Sequence, residues 1–142
     1  MLYIPKYFDI KELTPPEMGS IIKKHGAAWA WATLFDPRLL KTMDYLREQF
    51  GVLYANNWKQ GTCYRGFRPD GCDIGATYSQ HRFGRAVDLI PKELSASEIR
   101  QEILRCQNGP RYQYIGGLEM GIHWLHIDTR ARLTDKILTF NP

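Results

Sequence analysis

The aspartate in RAVDLI, residues 85–90, restricts the fold of this chain more than any other residue. An ionised carboxylate inside an apolar strand is costly to bury unless something positive or strongly hydrogen-bonding meets it. Asp88 therefore needs a partner, either an ion or a nearby donor such as Arg85 or a loop backbone. His81 stands seven residues before it, across Gly84, in the stretch SQHRFGRAVDLI. Imidazole nitrogen and carboxylate oxygen are both good zinc ligands, and a catalytic zinc takes three protein ligands and leaves a position for water. His81 and Asp88 would supply two of them. The later HWLHID offers His123 or His126 as the third, from a separate strand. His25 is read as a surface residue near the negative end of a helix dipole.

The surrounding pattern predicts a small single α+β domain over residues 1–142, with N-terminal helices packed on a mainly antiparallel sheet. A first helix is expected over 14–26, with Thr14 as cap, Pro15 in the first position, Glu17 completing a capping box and Gly26 past the end. The second is marked by Asp36 as cap, Pro37 as first residue, a stripe of Leu39, Met43, Leu46 and Phe50, and Gly51 as its stop. A third is expected over about 95–107, where Ser95 and Glu98 form a capping box. VLYANNW and RAVDLI read as strands flanking a long loop rich in glycine, polar and aromatic residues, a loop of the kind that serves a site. YQYIGG, HWLHIDTR and KILTF read as the later strands, with GGLEMG and ARLTD as separators.

Composition excludes several classes. With 44% hydrophobic and 24% charged residues and no low-complexity tract, the chain is an ordinary folded protein. Its longest apolar stretches, such as AAWAWATLF, fall far short of the roughly 20 residues that span a bilayer, so no membrane partner is expected. The first residues lack the layout of a secretory signal, so a cytoplasmic location in the producing cell is expected. Three cysteines, Cys63, Cys72 and Cys106, favour free thiols over a Cys63–Cys72 bridge. The net charge of +4 suits a polyanionic partner, but the Lys and Arg residues are scattered, so no nucleic acid is expected.

SQHRFGRAVD resembles the Ser-x-His-x-x-Gly-x-Ala-x-Asp motif of the zinc D-Ala-D-Ala carboxypeptidases and L-alanyl-D-glutamate endopeptidases of bacteria and their phages, relatives of the hedgehog and lysostaphin-type zinc fold. Ser79, His81, Gly84, Ala86 and Asp88 fall on the pattern. WLHID is similar to the strand carrying the family's last zinc ligand, which maps to His126. TCYRGF is similar to the segment whose arginine contacts substrate, which maps to Arg65. These matches cover about 43–130 in order. The resemblance implies a zinc peptidase acting on peptidoglycan peptide, with Zn2+ held by His81, Asp88 and His126. It also implies an endolysin or virion protein that reaches the wall after lysis or from a phage particle. The alternative is an inactive zinc-bound wall-binding or phage structural module.

Two roles stay open at this level. Many family members place an acidic residue three positions before the last zinc histidine, and here that place is His123. The general base is therefore assigned first to His123, then to Asp128, which could instead orient a ligand histidine, then to Glu119 in GGLEMG. Regular strand alternation would put Trp124, His126 and Asp128 on one face and His123 on the other unless the chain bends. Arg65 would stabilise the oxyanion or grip a carboxylate, with Arg68 as a rival and a pairing to Asp70 or Asp73 as the structural alternative. Trp124, Tyr64, Phe67, Tyr78 and Phe83 are the aromatics expected around the site, as groove or as core.

Overall fold

Asp36 and Pro37 open the longest helix, α4 (Pro37–Phe50), in which the Asp36 carboxylate accepts from the Arg38 amide at 2.9 Å. In this computed structural model, which describes residues 1–61 and 64–142, five helices precede or flank a five-stranded sheet. The fold is α+β. The short α1 (Ile10–Leu13) is capped by Asp9, and α2 (Gly19–His25) and α3 (Ala27–Leu34) meet at Gly26. Ser95 and Glu98 form the reciprocal capping box that starts α5 (Ala96–Arg105). No helix among the described residues is long and apolar enough to cross a membrane.

The single helix expected over 14–26 is broken. Thr14 closes α1 instead of opening a helix, its hydroxyl donating to the Ile10 carbonyl at 2.6 Å. Pro15 stands before a second proline, which disfavours the helical conformation, and it is extended (ψ 157°). A 3-10 turn at Pro16–Met18 follows, and α2 begins only at Gly19.

The strands are β1 (Leu53–Tyr54), β2 (Ala86–Pro91), β3 (Gly117–Glu119), β4 (Leu125–Asp128) and β5 (Leu138–Phe140), in the order β1-β2-β4-β3-β5. All neighbours are antiparallel except β3 and β5, which run parallel. YQYIGG is not a strand: residues 111–114 turn, and Tyr112 and Ile115 enter the core. β3 lies instead in the expected separator. Gly117 is what lets it pack there, since a Cβ at that position would lie 2.6 Å from Asp128 Oδ2.

One face of the sheet buries Val87, Leu89, Leu118, Leu125 and Ile127 against Leu40, Met43, Ile99 and Ile103 of α4 and α5. Because side chains alternate along a strand, Asp88 and His126 must point from the opposite face. The apolar run around Asp88 is thus the core half of a two-faced strand.

Candidate metal centre

His81 sits in a 3-10 turn, Gln80–Phe83, that ends at Gly84 in the left-handed conformation, φ +63°. A Cβ on Gly84 would lie 1.7 Å from the Leu34 carbonyl oxygen. Replacing Gly84 with alanine is therefore expected to destabilise the fold by about 2–4 kcal/mol, through backbone strain and the clash. A shift of the denaturation midpoint measures it, and an unchanged midpoint would refute this account of the turn.

The turn aims the His81 ring. Its Nδ1 is 2.8 Å from the Gly66 carbonyl oxygen, and a carbonyl only accepts, so Nδ1 donates and Nε2 is turned towards Asp88. Nε2 lies 3.3 Å from Asp88 Oδ1. Across the sheet Asp88 pairs directly with His126, whose Nδ1 is 2.7 Å from the same oxygen. His126 Nε2 is 3.3 Å from Asp128 Oδ2, two residues along the same strand face. Each ring thus has one nitrogen on an outer acceptor, the Gly66 carbonyl or Asp128, and the other on the same Asp88 oxygen.

The three residues are buried, and one ligand atom from each lies within 4.8 Å of the others. Ligands bound at 2.0–2.1 Å to a tetrahedral ion are about 3.3 Å apart, so the group fits zinc by size and donor type. Among the described residues this His-Asp-His group is the one spaced to hold a metal.

Without a metal the three groups form a charge-paired network. Burial pushes the Asp88 carboxyl up, but the hydrogen bonds from the His126 and His81 rings outweigh it and hold it well below the usual carboxylate range. Burial disfavours a charged His126, yet its bonds to Asp128 and Asp88 prevail and push it up to about 9. Burial also raises Asp128, and its bonds to His126 and Arg130 override this and hold it low.

The remaining expected residues divide. Asp128 is fully buried, bonded to His126 and gripped by Arg130 through Nε at 2.8 Å and Nη2 at 2.5 Å. It holds the His126 ring from inside the protein and does not line the cleft, so it is not placed to act as a base there. His123 stands outside the centre: it is exposed, beside Leu94 and Ser95, in a turn that Arg100 pins by donating to the Ile122 and Trp124 carbonyls at 2.9 Å. Glu119, ranked last among the bases, is the carboxylate at the centre, with Oε2 3.9 Å from His126 Nδ1. Arg65 is turned away, donating to the Ala55 carbonyl at 2.8 Å while its own carbonyl accepts from the Asp88 amide. Arg68 takes the place by the centre, with Nη2 3.4 Å from Asp88 Oδ2 and Nε on the Tyr64 carbonyl.

Arg68, Glu119, Tyr78 and Trp124 line a cleft of about 680 Å³ that opens onto the His-Asp-His group. Phe140 also lines it, a residue that nothing in the sequence singled out; its ring stands edge-on to His126 at 5.7 Å. Tyr64 instead packs on Trp58, and Phe67 on Phe35. Phe83 and Arg85 are exposed. His25 is also exposed and stacks on Trp29. Cys72 and Cys106 are free thiols, while Cys63 lies outside the described residues, and with it the Cys63–Cys72 alternative.

Family models, curated proteins and solved structures give no match to this chain. The chemistry of the centre itself is what remains to be read. The group could hold a metal ion, and it faces an open cleft. Glu119 supplies an acceptor for a proton and Arg68 a fixed positive charge, both within that cleft.

Proposed function

We propose that the chain is a zinc metallopeptidase that hydrolyses a peptide bond in the peptide part of bacterial peptidoglycan, of the D-Ala-D-Ala carboxypeptidase or L-alanyl-D-glutamate endopeptidase kind. The observation that carries this reading is the meeting of His81, Asp88 and His126 on the open face of the sheet, with one nitrogen of each ring held by an acceptor outside the group. The motif resemblance of residues 79–88 supports the substrate class. Zinc, when bound, supplies a Lewis acid that polarises the scissile carbonyl and makes water acidic near neutral pH.

The protein's own residues do the rest. Asp128 and the Gly66 carbonyl fix the two rings from behind. Glu119 takes the proton shed by the attacking water and returns it to the leaving amine. Arg68, held by the Tyr64 carbonyl and Asp88, offers its guanidinium to the oxygen on which charge develops. Tyr78 and Trp124 flank the substrate in the cleft.

Incubation of the zinc-loaded protein with muropeptides tests the reading, with new amines and product masses as readout. Glu119→Gln is expected to lower turnover by about 10²- to 10⁴-fold with zinc content unchanged. Retention of muropeptides without new amines would leave a wall-binding module instead of an enzyme.

A further inference from the structure

Arg130 follows β4 directly and carries a feature that the chemistry above does not use. Its Nε lies 2.8 and 2.9 Å from the two Asp128 oxygens and its Nη2 2.5 Å from Oδ2, so one side edge of the guanidinium is committed to a fully buried carboxylate. A guanidinium has five N–H donors, and these contacts occupy the Nε hydrogen and one on Nη2. Of the other three, two form the end-on edge, one on each Nη nitrogen, and none meets an acceptor among the described residues. Its plane is fixed by Phe140, whose ring centroid is 4.7 Å from Cζ, and both residues line the cleft. An arginine held on one edge by a carboxylate and on its face by a ring is a pre-organised receptor for a second carboxylate.

We infer that Arg130 is a specificity-determining residue that binds the free α-carboxylate of the substrate residue on the amine side of the scissile bond. The inference rests on the peptidase reading and deepens it. In a D-Ala-D-Ala terminus that residue is the terminal D-alanine. In an L-Ala-D-Glu bond it is a D-glutamate whose side-chain carboxyl continues the peptide and whose α-carboxyl is free. Both bonds therefore place a carboxylate one residue, at most about 3.6 Å of chain, from the scissile carbonyl. Arg130 lines the same cleft as His81, Asp88 and His126, so a substrate lying across the centre can reach its guanidinium. Arg68, the cleft's other arginine, is 9% exposed and directed at Asp88 and the Tyr64 carbonyl, which places it at the carbonyl and not at the carboxylate.

The test compares acetyl-D-Ala-D-Ala with its C-terminal amide as ligands of the zinc-loaded full chain, by calorimetry in a Glu119→Gln background so that turnover does not consume the probe. The acid is expected to bind about 10- to 100-fold tighter than the amide, as one charge-assisted pair would give. Adding Arg130→Gln should bring that ratio close to one while the affinity for the amide stays. Arg130→Lys, which keeps the charge near Asp128, should restore part of it, and zinc content is checked in each variant. Equal affinities in the parent, binding of neither probe, or a preference that survives Arg130→Gln would overturn the inference. Cleavage is scored separately in the chain with Glu119 intact. An Arg130-dependent preference without cleavage would sink the enzyme reading alone, and cleavage without the preference would sink the anchor alone.

Discussion

Alanine at position 81 is expected to leave the purified protein without stoichiometric zinc, whereas the parent chain should retain one ion. The His81 ring reaches the centre through Nε2 alone, because Nδ1 is committed to the Gly66 carbonyl. Truncation leaves Asp88 and His126, two ligands where a catalytic zinc needs three. Removing an outer-sphere partner of a metal ligand costs 10- to 100-fold in affinity, and loss of the ligand itself should exceed about that range. Metal analysis after dialysis against a weak chelator reads the effect, and turnover of muropeptides should vanish with the metal. His123→Ala is the informative control. That side chain lies beside Leu94 and Ser95, away from the cleft, so zinc content and turnover should both match the parent. A full equivalent of zinc in the His81→Ala protein would refute the ligand assignment. Loss of turnover in His123→Ala would refute the placement of the base.

The His-Asp-His group was legible because each of its members is fixed by a local rule. His81 and Asp88 are bound to one another by a turn that only Gly84 can close and by a strand whose alternation sends Asp88 off the core face. His126 follows from the same alternation, since it and Asp128 share a face opposite Leu125 and Ile127. The second set of roles depends on tertiary placement and was not legible. Glu119 reads as a turn residue until β3 pairs with β4, and that pairing hangs on the close approach of Gly117 to Asp128. Arg65 and Arg68 differ by three residues in one loop, and the difference between them is which backbone carbonyl each guanidinium finds. The α+β class and the helices capped by Asp36 and Ser95 follow from capping chemistry alone, whereas the fragmentation of 14–26 reflects two adjacent prolines overriding a plausible cap.

The stabilisation that zinc gives this fold should grow as the pH rises from 6 to 8.5. In the metal-free chain the bonds to Asp128 and Asp88 raise His126 to about 9, above its value of about 6.5 in an unfolded chain. A group raised on folding contributes stability that is fully present below the unfolded value and is lost as pH climbs through the folded one. For His126 that contribution is on the order of 3 kcal/mol, gone by about pH 9.5. Asp88 and Asp128 run the other way: both are held low, so their contribution is present above about pH 4 and lost in stronger acid. The metal-free protein should thus be most stable between about pH 4 and 6.5 and weaken above it. Zinc offsets that slope, because binding requires the neutral imidazole and displaces the Nδ1 proton, so affinity gains about tenfold per pH unit until His126 is itself neutral. Thermal melts with excess zinc and with chelator, at half-unit steps from pH 6 to 8.5, should diverge steadily. Calorimetry in buffers of different ionisation enthalpy should report release of about one proton per ion below pH 8. A zinc-induced shift that is flat across this range would show that His126 is not displaced from its bond to Asp88, and the His-Asp-His group would then be a charged network that holds two strands together rather than a metal centre.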